Sequence, residues 1–160
     1  IEEMAQSSES GDPPVEVTTS PKGVTIGISS DISFESGSAT TKPGFVEILK
    51  KIVPTIEESY FMIAVEGHTD SDPLPKNLRI KYPSNWELSG ARASAVVRLL
   101  IDLKVDPVRL QSVGYGEFVP RDKNTAEIIT ADLIQKYNST PQQKSRNRRV
   151  EITFLAPNEL

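Results

Sequence analysis

The chain has 160 residues, 37% of them hydrophobic, which suffices for one domain with a real core. Its 18 basic and 22 acidic residues leave a net charge of -4, without the basic excess of a protein that coats nucleic acid. Cysteine is absent, which excludes disulfides and thiolate metal sites, and no apolar run approaches the ~20 residues of a membrane helix.

Residues 1–14 include Ser7-Ser8-Glu9-Ser10-Gly11-Asp12-Pro13-Pro14, a polar, turn-forming composition that reads as a linker. With neither an initiator Met nor a signal peptide at Ile1, the chain is expected to be the soluble part of a longer protein. Val15 and Val17, then Val24, Ile26 and Ile28, alternate with polar residues around Pro21-Lys22-Gly23 and predict a hairpin. Phe45, Ile48, Leu49, Ile52, Val53 and Ile56 carry helical spacing over 41–56, with Pro43 suited to the first turn and Pro54 expected to kink or end the helix. Phe61, Ile63 and Val65 predict a strand ending at Gly67.

Leu88, Ala91, Ala95, Val96, Leu99 and Leu103 line one face of a second helix, whose start offers Ser84 and Glu87 as a capping box. Residues 110–115 read as a short strand closed by Gly114 and Gly116. Asn124 is placed to cap a helix running to Tyr137, with Ala126, Ile129 and Leu133 along one side. The basic run Lys144, Arg146, Arg148, Arg149 then feeds directly into a final strand through Val150, Ile152 and Phe154. The alternation of elements predicts a two-layer α/β sandwich, helices packed on one face of a mixed β-sheet. The domain is expected to span 15–156, followed by a short tail, 157–160.

His68-Thr69-Asp70 follows a strand, and a proline-rich loop, 71–83, leads from it to the helix carrying Arg92. Asp70 offers an acceptor-only carboxylate and Arg92 a rigid fork of donors, a match for the ammonium and carboxylate of an amino-acid head. A structural Asp70–Arg92 salt bridge accounts for the same two residues equally well. His68, the only histidine, lacks the nucleophile and co-ligands that catalysis or a metal would need. It is expected to hold the strand-end turn by hydrogen bonds. Trp86 is suited to stacking on a sugar or packing on the neighbouring loop, and the basic run to an anionic polymer or a solvated edge.

Five ordered pieces then meet a known pattern. Phe34-Glu35-Ser36-Gly37-Ser38-Ala39, Val65-Glu66-Gly67-His68-Thr69-Asp70, Leu88-Ser89 with Arg92-Ala93, Gly114-Tyr115-Gly116-Glu117 with Pro120, and Asn147-Arg148-Arg149-Val150-Glu151-Ile152 resemble the OmpA-like peptidoglycan-binding domain. The resemblance implies the same sandwich, no enzymatic activity and no cofactor or metal. It implies that Asp70 and Arg92 bind the diaminopimelate of the stem peptide, that Phe34 and Thr69 border the pocket, and that Asn85, Leu88 and Ser89 shape the helix start. Arg148, with Asn147, matches the closing motif, part of whose role is structural.

Asn85-Trp86-Glu87-Leu88-Ser89 resembles more narrowly the MotB/PomB type, the stator B subunit of the flagellar motor. That type implies a homodimer, a MotA/PomA-type partner reached through a single membrane helix, and a periplasmic setting. A passive outer-membrane tether of the OmpA/Pal type is the alternative with the same pocket. The long loop 71–83, a helix-bearing insertion over 123–144, and Lys144 in place of a common Arg depart from the pattern.

Overall fold

The structure, a computed structural model, describes residues 14–124 and 126–157. The expected linker lies outside the described residues except for Pro14, and the expected tail except for Pro157. The alternating segments form the hairpin, β1 (Val15–Ser20) antiparallel to β2 (Gly23–Ser29), with Val15 opposite Ile28 and Val17 opposite Ile26. A single turn, α1 (Ser30–Ser33), follows and leads to α2 (Pro43–Glu58). Then come β3 (Ile63–His68), α3 (Asn85–Asp102), β4 (Leu110–Gly114), α4 (Ala131–Lys136), α5 (Pro141–Asn147) and β5 (Arg149–Leu155).

The strands lie in the order β1-β2-β5-β3-β4, and only β3 and β4 run parallel. Register puts Ile26, Ile152 and Val65 in one row and Val24, Phe154 and Ile63 in another, so one face of the sheet is apolar. Phe45, Leu49, Ile52 and Ile56 of α2 and Val96 and Leu100 of α3 bury that face in a single core. This is the expected sandwich. The opposite face is polar: Glu66 accepts from Thr153 at 3.0 Å and pairs with Lys22, which closes over it from the hairpin turn. All six residues of β3 are therefore buried, not every second one.

Four local expectations change. Pro54 does not end its helix, since α2 continues to Glu58, and it does so on an exposed side, with both Pro54 and Lys50 open to water. The buried face of α3 includes polar Asn85, Ser89 and Arg92, whereas Ala91, Ala95, Leu99 and Leu103 are half-buried at its margin. The helix expected from Asn124 begins only at Ala131. Asn124 spends its side chain on the Ala126 N–H and its own N–H on the Glu127 carboxylate, and Thr130 caps the helix that does form. The basic run does not feed straight into β5 but lies partly in α5, where Thr140 and Gln143 form a capping box with Pro141 in the first turn.

The contact that places the functional end is between backbones. A Cβ at Gly67 would lie 2.2 Å from the Ser89 carbonyl oxygen, and one at Gly114 2.5 Å from the Gly90 nitrogen. Helix α3 thus rests directly on β3 and β4, a separation that any larger residue would prevent. Gly67→Ala should cost at least about 1–3 kcal/mol through overpacking. Gly90→Ala, whose Cβ meets nothing within 4 Å, should gain about 0.5–1 kcal/mol by favouring the helix. Urea unfolding of the two variants checks this, with midpoints expected to move in opposite directions.

Candidate functional site

Beyond His68 the chain leaves the sheet as Thr69 and Asp70, and α3 starts beside it. Ser84 caps α3 by accepting the Trp86 N–H at 3.2 Å, while its own hydroxyl donates to the Glu87 carboxylate. The Asn85 amide donates to the Asp72 carbonyl at 3.1 Å, to the Glu117 carboxylate at 2.9 Å and more loosely to the Asp70 carbonyl. Thr69 donates its N–H to Gly116 at 2.9 Å and its hydroxyl to the Asp70 carbonyl at 2.9 Å. Ser89 accepts the Gly116 N–H at 3.0 Å. These bonds fix the end of β3 against the first turns of α3. In front of them opens a cleft of about 490 Å³, walled on its other side by α1 and the strap at 36–42.

One wall is an ion bridge. Asp70 accepts from Arg148 Nη1 at 2.6 Å and from the Asp72 N–H at 2.8 Å. The same guanidinium meets Asp31 with its other edge, Nε to Oδ1 at 3.0 Å and Nη2 to Oδ2 at 3.2 Å. Burial works against these charges, but the bonds to the two carboxylates hold Arg148 above its ordinary pKa, and those from Arg148 hold Asp31 below its own. A carboxylate has about four lone-pair sites, so Asp70 can accept further donors.

Arg92 forms the other wall. Its guanidinium lies over the Phe34 ring, 5.0 Å from the centroid, and donates from Nε to the Ser38 carbonyl at 2.8 Å and from Nη2 more loosely to that of Glu35. It is only 5% exposed, and among the described residues no carboxylate comes within ion-pair distance of it. Burial pushes its pKa down to about 10, against the partial support of more distant Asp31. The Asp70–Arg92 salt bridge does not form; Asp70 pairs with Arg148 instead. A desolvated cation thus faces the cleft with a place for an anion. Three carboxylates, Asp31, Asp70 and Asp72, and three cations, Lys42, Arg92 and Arg148, line the cleft, so a net-neutral zwitterion leaves its charge balanced.

Of the eight residues singled out from the sequence, Phe34, Thr69, Asp70, Asn85, Leu88, Arg92 and Arg148 line this cleft. Ser89 stands behind it as the anchor of Gly116, and Leu88 also packs with Leu74 and Tyr82 in a small satellite core. Sequence reasoning missed Asp31 and Lys42, whose Nζ donates to the Asp31 carbonyl at 2.8 Å. The only local signal was Ser29 two residues ahead of Asp31, a cap for a helix of just one turn. Trp86 takes the loop-packing role, stacked on Phe118 with centroids 4.9 Å apart. Lys144 pairs with Asp72 at 3.0 Å, tying α5 to the long loop. No group of three or more His, Asp or Glu among the described residues could hold a metal.

The OmpA family model matches residues 33–132, more than half of the chain and every residue lining the cleft but Ser30, Asp31 and Arg148. This chain belongs to the OmpA family. Motility protein B of Bacillus subtilis (strain 168) is 32% identical over 143 residues, covering 88% of this chain and 48% of the relative. The cell wall anchor of the T6SS from Pseudomonas aeruginosa superposes with a TM-score of 0.69 at 31% identity, over 89% of this chain and 88% of that one. The periplasmic domain of Helicobacter pylori MotB superposes with a TM-score of 0.70 at 25% identity, over 96% and 84%. The chain spans about half the length of the curated relatives it matches, between 48% and 55% for three of them. The OmpA-family sandwich expected from the sequence is thus the fold observed.

His68 departs from its expected role. Among the described residues neither ring nitrogen has a hydrogen-bond partner; the ring stacks on Tyr115, 5.2 Å between centroids, and Glu151 stays 4.0 Å away. Burial, then the positive charges of Arg149, Lys22 and Arg121, hold its pKa well below the ordinary 6.5. The unfolded chain therefore binds a proton that the folded chain refuses. Stability from this group is complete above about pH 6.5 and falls as the pH drops toward the folded value. Urea midpoints should decline from pH 7 to pH 5, and His68→Phe, which keeps the stacked ring, should remove most of that decline. The acid loss due to Asp31 lies lower, below about pH 4.

Proposed function

We propose that this domain, residues 15–156, is a non-enzymatic anchor that holds the stem peptide of peptidoglycan without making or breaking a bond. The observation that carries the reading is Arg92, a buried guanidinium with no carboxylate partner among the described residues, set across the cleft from the Asp31–Arg148–Asp70 bridge. The diaminopimelate head supplies both missing groups. Its carboxylate takes the bidentate fork of Arg92, and its ammonium takes the remaining lone pairs of Asp70. Phe34 and Leu88 give the methylene chain an apolar bed, and Thr69 and Asn85 keep the Asp70 backbone in place.

Resemblance to Motility protein B over 88% of the chain supports a stator setting. In that setting the domain is the periplasmic part of a single-pass inner-membrane subunit, paired with a second copy and with a MotA/PomA-type partner. Fixing the complex to the wall gives torque a reaction point. The similarity to the cell wall anchor of the T6SS, at 31% identity, favours a second reading in which the same domain tethers another assembly. Both readings share the cleft. Restoration of swimming by the full-length protein in a strain lacking its stator B subunit separates them.

The cleft itself is tested by co-sedimentation with purified sacculi. Asp70→Ala and Arg92→Ala should each abolish pelleting while the circular dichroism of the domain stays unchanged. Arg92→Lys, which keeps the charge but loses the fork, should weaken it by about tenfold or more. Pelleting retained in both alanine variants overturns the assignment, and release of muropeptides by the wild type overturns its non-enzymatic part.

A further inference from the structure

A second groove of about 300 Å³ lies along α3, on the other side of the strap from the cleft. Lys81, Arg98, Tyr82, Thr40 and Ser94 line it, with Ala91 and Ala95 leaving room at its floor, and no carboxylate is among its lining residues. The Lys81 ammonium sits 5.5 Å from the centre of the Tyr82 ring. Neither it nor the Arg98 guanidinium has an ion pair or a side-chain hydrogen bond among the described residues. Among the described residues Lys22 pairs with Glu66, Lys144 with Asp72, Arg121 with Glu16 and Arg148 with Asp31 and Asp70, whereas the lining of this groove offers its two cations no such partner. The groove thus carries two positive side chains and no negative one, in a chain whose net charge is -4.

The groove is coupled in space to the cleft. Asn85, Leu88 and Arg92 form one row of α3 and line the cleft, whereas Ala91, Ser94, Ala95 and Arg98 form the adjacent row and line the groove. The strap between them is held from both sides, by Arg92 on the Ser38 carbonyl at 2.8 Å and by the Ala39 N–H donating to the Tyr82 hydroxyl at 3.3 Å. A chain molecule gripped in the cleft can therefore cross the strap and continue along the same helix.

We infer that this groove is a second subsite, in which Lys81 and Arg98 take another carboxylate of the same wall peptide, the hydroxyls of Thr40 and Tyr82 offering it donors. The assignment rests on the cleft being a stem-peptide site. It makes the domain a two-point binder: a buried, geometrically strict grip on one amino acid, and an exposed, salt-sensitive hold on the chain that carries it.

The test compares the wild type with the double variant Lys81→Gln, Arg98→Gln on sacculi stripped of phosphate polymers, at low and at high salt. Free diaminopimelate, which reaches only the cleft, is titrated in parallel by calorimetry. The double variant should pellet about three- to tenfold more weakly at low salt, the sum expected of two exposed ion pairs, and the gap should close at high salt. Its affinity for free diaminopimelate should equal that of the wild type. Equal pelleting of wild type and double variant at low salt, with Asp70→Ala still inactive, overturns the subsite and leaves the cleft assignment standing. A loss seen only on unstripped sacculi overturns the carboxylate in favour of a phosphate polymer. Reduced affinity for diaminopimelate in the double variant overturns a separate subsite, and wild type binding neither probe overturns both readings.

Discussion

Helix α3 can lie on the sheet only because neither Gly67 nor Gly114 carries a Cβ, which at either position would meet its backbone within 2.5 Å. That separation decides where every functional group falls. It lets the Ser89 hydroxyl reach the Gly116 N–H, which closes the loop after β4 over the end of β3. It also carries Arg92 under the strap at 36–42, deep enough to be almost wholly removed from water. A helix standing further off would leave Arg92 hydrated and Asp70 without a facing partner.

The charges in the cleft are kept apart as deliberately as they are brought near. Arg148 occupies Asp70 from one side and Asp31 from the other, so Asp70 has no need to swing toward Arg92. Arg92 in turn is steadied by backbone carbonyls and by the Phe34 ring, partners that satisfy N–H groups without cancelling a charge. Burial of an unpaired guanidinium is costly to the free protein, but in the same low-dielectric setting a carboxylate arriving from outside is held more strongly than it would be in water. On the proposed reading, the carboxylate of the stem peptide offsets that cost when it arrives.

Much of this was legible from spacing alone. The apolar period of 45–56 and the alternation in 15–28 and 150–154 reported helices and strands because burial of one face is a local, repeating demand. Asp70 and Arg92 stood out because their residue types are costly at positions next to strand ends and apolar runs. What spacing could not report was Arg148 meeting Asp31 across a sequence separation of 117 residues, a contact that exists only once β5 lies between β2 and β3. Helix α1 is a single turn and too short for any period. The failed helix at 124–130 lost to local bonds of Asn124, which offered its backbone neighbours a turn before a helix could nucleate. By contrast α5 was announced by Thr140-Pro141-Gln142-Gln143, a capping box legible to anyone weighing caps above charge.

The position of β1 has a mechanical side. Pro14 accepts the Ser29 N–H at 2.9 Å and Ser30 donates to the Arg148 carbonyl at 2.9 Å, so the chain enters the fold at the same end as the cleft. Tension arriving through the residues ahead of Pro14 and leaving through a molecule in the cleft crosses Ser29, Ser30, Arg148 and Asp70. The hairpin turn at Pro21 and the far ends of α2 and α3 lie off that line. In the anchoring role proposed for it, the fold would be loaded across one corner rather than stretched along its length, leaving most of its core a bystander to the pull.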